Sequence, residues 1–570
     1  MKKVLKIVGL VILVLILTGA VAILVIRQMR QPPARQVFIN GSVLTMDQHN
    51  SVAEAIAVEN DQITAIGSTA EIKKLITNDT VVNDLEGRTL IPGFVDAHSH
   101  FPGSGLGALG EDLNSPPIGS IVKISQIIVK LKARAEKTKK GEWVYGFGYD
   151  DTLISEKRHL TRFDLDKVST EHPVFISHIS GHLGAANTMA LKTVGIVAGT
   201  PNPEGGIIRR DKNGDPDGVL EEKAKDKASA LAMKITIGKY LNMLSKANQD
   251  YAEAGVTTAQ NGLSSEMIIK GLSFSSKYGL IPLRLVIWPN YKVGDKIING
   301  EFKVDQHNSK MLKIGAVKLI ADGSIQGYTG YLSKPYFVPF KGDKEYRGYP
   351  VIGRGKLVSQ VKKFHNAGQQ LAIHGNGDAC IDNILYAYAE AQKEYPRQDT
   401  RHILVHAQMT RNDQLDLIQK LGVVPSFYSA HTYYWGDRHR DIFMGPERAM
   451  RMSPAKSALD RGIRFTIHLD TPVVPMNPLL LIWSAVNRIS SSGKVIGKAE
   501  RISKIQALRA TTIDSAWQMF LETTVGSIEP GKYADLVILS EDPLTSSTPI
   551  RDIKVLETFV GGRSIYKMGD

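Results

Sequence analysis

Cysteine is nearly absent from this chain: Cys380 is the only one in 570 residues. A single thiol excludes an intrachain disulfide and any Cys-rich zinc site, and it leaves the redox compartment undecided. No G-x-S-x-G elbow occurs, which makes a Ser-His-Asp hydrolase a weak reading. No glycine-rich phosphate loop follows a strand-like run, which argues against a nucleotide-binding open sheet. Internal repeats and low-complexity stretches are missing too. The net charge of +13 would suit a nucleic acid, but no basic run with interleaved aromatics exists to bind one. Lys2, Lys3, Lys6, Arg27, Arg30 and Arg35 carry much of that excess, with no acid among the first 35 residues. No nucleic-acid partner is expected.

What is present at the N-terminus is an uncharged apolar run. Residues 8–26 are interrupted only by Gly9, Thr18 and Gly19. At about 1.5 Å per residue the run approaches the roughly 30 Å hydrocarbon core of a bilayer. It also exceeds the signal-peptide apolar region of about 7–15 residues. The expectation is an N-terminal transmembrane helix, a single-pass signal anchor with the bulk of the chain extracytoplasmic. A signal peptide cleaved near Ala20-Val21-Ala22 is the alternative. No cysteine follows the run, so a lipoprotein anchor is excluded. With Pro32 and Pro33 in a short linker, residues 1–35 form the anchor and linker.

Beyond it, residues 36–89 and 516–570 share a texture of short alternating strands and turns, as in VFINGSVLTMD and KYADLVILSEDP. Two β-rich ends predict one small β-sandwich domain built from both parts of the chain. Residues 90–515 alternate strand-like and helix-like segments. Strand candidates are 90–96, 256–260, 283–288, 316–321, 371–374, 402–406, 423–427 and 464–469. Eight strands with intervening helices predict an α/β fold, a (β/α)8 TIM barrel whose functional groups gather at the C-terminal strand ends. About residues 102–243 are too many for one connection and predict an inserted α+β lid subdomain after the first strand.

The first barrel strand ends in LIPGFVDAHSH. Side chains at i and i+2 of a strand share a face, so His98 and His100 can aim at one metal ion. Lys318 lies in GAVKLIADGS, an otherwise apolar strand; a buried lysine can be neutral and take up CO2 as a carbamate that bridges two metals. His374 closes QQLAIHGNGD, His406 closes RHILVHAQ, and Asp470 ends IRFTIHLDTPV. Singly, each has an ordinary alternative: a snorkelling lysine, a core histidine, a helix N-cap. Together they sit at C-terminal ends of the first, fourth, fifth, sixth and eighth strands, which a barrel brings to one cavity.

The chain resembles the amidohydrolase superfamily, within it the amidohydrolase 3 group of YtcJ-like and N-substituted formamide deformylase-like hydrolases. The resemblance runs from about residue 36 to 566 and rests on PGFVDAHSH, GGIIRRDKNGDPDGVLEE, AGVTTAQNG, VKLIADGSIQGYTG, AIHGNGDACID, RHILVHAQM, LDTPVVPMNPLL and GSIEPGKYADLVIL. It implies that His98 and His100 hold the more buried metal and that His374 and His406 hold a second. Lys318 matches the lysine that many members carboxylate, so N6-carboxylysine is implied there. Asp470 matches an aspartate that touches metal and moves protons, and Glu221 or Glu222 matches an acid near the metals. One departure stands out: the family commonly has Gly-Ser-Asp where this chain has His468-Leu469-Asp470.

Imidazole and carboxylate donors suit Zn²⁺ or a similar divalent ion, one or two of them. Such an ion lowers the pKa of bound water from 15.7 towards about 7. The implied function is a metal-dependent amidohydrolase in which hydroxide attacks an amide-type carbon. Asp470 serves as general base and then acid, and a lid histidine, His178 or His182, stabilises the oxyanion. The expected partner is a small amide-type substrate; Trp143, Tyr145, Phe147 and Tyr149 hint at an apolar pocket for it. The rival readings are a deaminase or cyclic-amide hydrolase on the same scaffold and, further off, a metal-free membrane-tethered binding module. Oligomeric state is not readable.

Overall fold

The computed structural model describes residues 32–569. Parallel strands form its centre. β1 (Phe94–Val95), β2 (Val256–Ser264), β3 (Arg284–Pro289) and the first half of β4 (Leu312–Ile314) pair in that order. The second half of β4 (Val317–Ile320) is followed by β5 (Leu371–Gly375), β6 (Ile403–His406), β7 (Val424–Phe427) and β8 (Thr466–Ile467). Gly315 and Ala316 interrupt β4, but Gly315 N still donates to Ile287 O at 2.8 Å. A parallel bridge between Asn290 and Lys318 carries the pairing across the break. Asp470 N to His98 O at 3.1 Å and His100 N to Thr471 O at 2.7 Å tie the last strand's end to the first's. The eight strands thereby close into a barrel.

Every residue of β5, β6 and β7 is buried. Helices such as Asp378–Glu394 and Asn412–Leu421 cover the outer face, so these strands read as unbroken apolar runs without polar alternation. The first strand is shorter than the apolar run that contains it. Thr89–Pro92 instead pairs antiparallel with Leu536–Leu539 in another sheet. The chain changes sheets at Gly93, where a Cβ would lie 2.2 Å from the Thr257 side chain.

That other sheet joins both ends of the described chain. Its order is Arg563–Lys567, Val555–Val560, Leu536–Leu539, Thr89–Pro92, Ser42–Leu44, Val52–Ala53. A four-stranded sheet containing Arg35–Ile39 packs on it through Phe38, Ile56, Val58, Leu90, Leu536 and Phe559. Between β1 and β2 a third sheet of six strands runs from Glu111–Asp112 to Pro216–Glu222, with its own buried core around Leu131, Val144, Tyr149 and Leu165. Pro216–Glu222 pairs antiparallel with Gly206–Arg210 as a hairpin, and its end carries Glu221 and Glu222 as buried residues, of which Glu222 reaches the barrel.

The expected N-terminal transmembrane helix falls on residues outside those described. Among the described residues no helix is long and apolar enough to cross a membrane. The single-pass anchor and the membrane location are therefore corrected: an apolar run of sufficient length is a necessary condition for a span, and by itself it does not establish one.

The sheet of the chain ends is locked to the barrel by a buried ion pair. Arg284 at the start of β3 donates to Asp535 from Nε at 2.7 Å and from Nη2 at 3.0 Å, and its guanidinium lies 3.8 Å from the Tyr533 ring centroid. Removing one partner would leave the other charge buried and unpaired. Asp535→Ala is expected to lower unfolding free energy by about 3–5 kcal/mol in urea titrations followed by circular dichroism. A loss below about 1 kcal/mol, the range of exposed pairs, would contradict this role.

Candidate active site

Six of the residues singled out by sequence come together at the C-terminal end of the barrel. His98 Nε2 and His100 Nε2 lie 3.5 and 3.3 Å from Asp470 Oδ1. Lys318 Nζ lies 3.1 Å from His98 Nε2. Next to this group His374 Nδ1 and His406 Nε2 are 3.0 Å apart, and the His98 and His406 ring centroids are separated by 5.6 Å. All are buried except His100, which is half-buried.

The donor set fits a cation. The ligand atoms of His98, His100 and Asp470 lie within 4.8 Å of one another. Asp470 Oδ1 is buried with no aligned hydrogen-bond donor, a condition that folding normally avoids. His374 Nε2 faces the Gly323 carbonyl at 3.2 Å, and a carbonyl only accepts. The Asn376 amide nitrogen lies 3.0 Å from the same Nε2 and donates to Gly323 O at 2.9 Å. With the His374 hydrogen on Nε2, shared with that carbonyl, a lone pair on Nδ1 is left toward His406. Backbone geometry agrees: His406 (φ 73°), Asp470 (φ 60°) and Glu222 (φ 48°) are all in the left-handed region. Such conformations cost about 1–3 kcal/mol each and collect at functional sites.

The electrostatics follow from burial. Desolvation, with the nearby Lys318 charge adding to it, holds His98 and His374 well below the ordinary imidazole range, and desolvation with neighbouring imidazoles does the same for His406. These rings are neutral and able to ligate. Burial brings Lys318 down to about 7, with Asp470 opposing the shift. Burial raises the Asp470 carboxyl, but His100, His468 and Lys318 outweigh it and keep it below its ordinary value.

The inserted sheet adds His182 and Glu222. His182 Nδ1 is 2.9 Å from Glu222 Oε2, and its ring lies 5.0 Å from that of His374. Glu222 Oε1 is buried without a partner. Burial lowers the His182 pKa, and Glu222 overrides it, for a net rise. Glu221 turns away to Arg209 and Tyr349. His178 is not brought into the cluster: it bonds Asp151 at 3.1 Å and Ser180 at 2.8 Å inside the inserted sheet. Tyr145 and Tyr149 belong to that sheet's cores, with Trp143 packed against them. Phe147 alone of the four lines the large cavity, about 830 Å³, behind Gly103 and Thr471. That cavity touches the loops carrying His100 and Asp470, but none of the clustered side chains lines it.

Three contributors were not visible as site residues in the sequence. Gln260, at the end of β2, places Oε1 3.2 Å from His98 Nδ1 and accepts from Ser99 N at 2.8 Å. Trp288 stacks on His98 at 5.2 Å and 9°. His468 contacts His406 Nδ1 through Nε2 at 3.0 Å. Gln260 had one available signal, its position at a C-terminal strand end.

A closed parallel barrel carrying neutral histidines, a buried lysine and a strained carboxylate at its C-terminal mouth defines a metal-dependent hydrolase. The chain belongs to the amidohydrolase family, which matches residues 81–566, and it acts on carbon–nitrogen bonds. It is 28% identical over 544 residues to the N-substituted formamide deformylase of Arthrobacter pascens, covering 93% of this chain and 98% of that one. It is 27% identical to the putative amidohydrolase YtcJ of Bacillus subtilis, covering 94% and 99%. Among solved structures, an uncharacterized metal-dependent hydrolase from Pyrococcus horikoshii superposes with a TM-score of 0.71 at 25% identity, covering 90% and 98%.

Gly262 makes the His98 position possible. A Cβ there would lie 2.2 Å from His98 Cε1 and 2.6 Å from Nδ1. Gly262→Ala is expected to displace the ring and lower kcat/KM about 100-fold while the far-ultraviolet circular dichroism stays unchanged. Wild-type turnover in that variant would show that the ring's position is not needed.

Proposed function

We propose that this amidohydrolase cleaves the C–N bond of an N-substituted formamide or a similar acyclic amide, releasing the carboxylic acid and the amine. The observation that carries the reading is Asp470 Oδ1, buried and undonated between the Nε2 atoms of His98 and His100. The near full-length similarity to a formamide deformylase supports the substrate class. His98, His100 and Asp470 would hold one divalent ion, and His374 and His406 a second, with zinc the metal that this donor set suits best. Lys318 Nζ lies 3.1 Å from His98 Nε2, close enough for its charge to act on His374 and His406 as well. With its pKa near 7 a large share is the free amine at neutral pH. The amine adds to CO2 and sheds a proton, giving an N6-carboxylate able to serve both positions.

A bound ion supplies Lewis acidity and lowers the pKa of water from 15.7 towards about 7. The remaining work falls to side chains. Asp470 takes the water's proton on the carboxylate oxygen left free by the ion and passes it to the departing nitrogen as the C–N bond breaks. Glu222 favours the protonated form of His182, in which the second ring nitrogen can donate to the oxygen that gains charge. Trp288 and Gln260 hold His98 in place.

Metal quantification by plasma mass spectrometry, paired with a panel of N-substituted formamides, N-acyl amines, cyclic amides and aminopurines, tests this reading. One or two zinc equivalents, chelator-sensitive turnover and preference for formamides are expected. Turnover of aminopurines or cyclic amides alone would replace the substrate class; absence of both metal and turnover would favour a binding module. Asp470→Asn should cut kcat at least about 100-fold and leave metal content within a factor of two, given the typical 10²–10⁴-fold worth of a positioned acid–base group. Full activity in that variant would remove the proton-transfer role.

A further inference from the structure

His468 occupies a position where a small residue would leave space beside Asp470. It is buried, and its ring centroid lies 5.0 Å from His406, 5.3 Å from His98 and 5.3 Å from Tyr428. Both ring nitrogens are engaged. Nε2 is 3.0 Å from His406 Nδ1, and Nδ1 is 2.9 Å from Ser426 Oγ. Gln518 Nε2 donates to Ala97 O at 3.0 Å beside His98, so its Oε1 accepts the single Thr466 hydroxyl hydrogen at 2.7 Å. Ser426 Oγ, 2.8 Å from Thr466 Oγ1, therefore donates its own hydrogen to Thr466. Ser426, Thr466 and Gln518 are fully buried, so no water competes for these bonds.

The count of hydrogens decides what this chain of contacts does. A neutral imidazole has one N–H, and two ring nitrogens 3.0 Å apart hold at most one hydrogen between them. For His406 to offer a lone pair at Nε2, its hydrogen must lie on Nδ1 and be donated to His468 Nε2. The hydrogen of His468 is then on Nδ1 and is donated to Ser426 Oγ, whose own hydrogen is committed to Thr466 Oγ1. Across the site the Gly323 carbonyl can accept the hydrogen of His374 from Nε2, which leaves Nδ1 bare. With both set in this way, two bare lone pairs, His406 Nε2 and His374 Nδ1, face each other at 3.0 Å. That arrangement repels itself when empty and attracts a cation.

We propose that His468 is a positioning residue that pins the His406 hydrogen on Nδ1 and keeps Nε2 bare for the second cation, acting through Ser426, Thr466 and Gln518. This rests on the reading of His374 and His406 as ligands. Outer partners of metal-bound histidines fix tautomer and ring orientation, and their loss typically costs 10–100-fold in metal affinity.

The test uses the purified full-length protein, stripped of metal and titrated with Zn²⁺ against a competing chromophoric chelator. Thermal unfolding of the stripped form and the visible spectrum of the Co²⁺ form are recorded in parallel. His468→Leu is expected to weaken the second equivalent about 10–100-fold and to alter the Co²⁺ spectrum, with the midpoint of the stripped form close to wild type. His468→Gln, whose side-chain oxygen can accept from His406 Nδ1, should recover most of that affinity. Ser426→Ala should weaken the second equivalent in the same direction by a smaller factor, and it decides the matter if His468→Leu does not fold. Unchanged Zn²⁺ affinity in the leucine and alanine variants overturns the inference. So does a parallel loss of stability in the stripped forms with no rescue by glutamine, which would mark packing alone. Wild-type protein that binds no Zn²⁺ would instead overturn the ligand reading on which the inference rests.

Discussion

Asp470 N donates to His98 O and His100 N donates to Thr471 O, and these two backbone bonds between residues more than 370 positions apart both close the barrel and assemble its site. β8 itself is only Thr466–Ile467, so little sheet pairing remains to join the last strand to the first. The bonds bring the Asp470 carboxylate between the two imidazoles of the first strand, with Asp470 itself at φ 60°. Left-handed backbone at a non-glycine residue is costly, and it persists where surrounding bonds over-determine it. Here the closure supplies those bonds.

Burial around that closure keeps His98, His374 and His406 uncharged in a dry interior. Burial drives the histidines neutral and brings Lys318 down to about 7, so the site presents lone pairs in place of cations. A ring nitrogen that must stay bare needs its partner nitrogen engaged. Gln260 engages His98, Gly323 engages His374, and His468 engages His406. The inserted sheet contributes from outside the barrel, where Glu222 holds His182 close to His374. The same sheet uses its other acids and histidines for its own cohesion, as His178 with Asp151 and Glu221 with Arg209 show.

Much of this was legible in the chain. β5 to β7 are buried on both faces, and a polar residue closing an apolar run of that kind is conspicuous. His374 and His406 stand out that way, and Lys318 as a charge inside an apolar run. His98 and His100 were found through their spacing, because i and i+2 share a face on an extended chain. Where strands are short or shared between sheets, the signal failed. The run that includes Thr89–Pro92 reads as one strand with β1, yet Gly93 turns it from one sheet into another. The aromatic cluster of residues 143–149 reads as pocket lining, yet all four rings pack on the cores of the inserted sheet and only Phe147 also lines the cavity, since a large ring buries most area in a core. The apolar run at residues 8–26 fulfilled the length requirement for a span, and no described helix bears it out.

The sequence by itself determined which donor atoms exist, which strands carry them and that these strand ends share one side of a barrel, because periodicity and burial are local properties. Only the tertiary structure decided which nitrogen of each histidine faces inward, which of Glu221 and Glu222 reaches the site, and that His468 stands behind His406. Those outcomes depend on contacts between residues from 40 to several hundred positions apart, such as Glu222 with His182, His468 with His406 and Gln260 with His98. A hydrogen is placed by the acceptor opposite it, and in this chain that acceptor arrives on another strand.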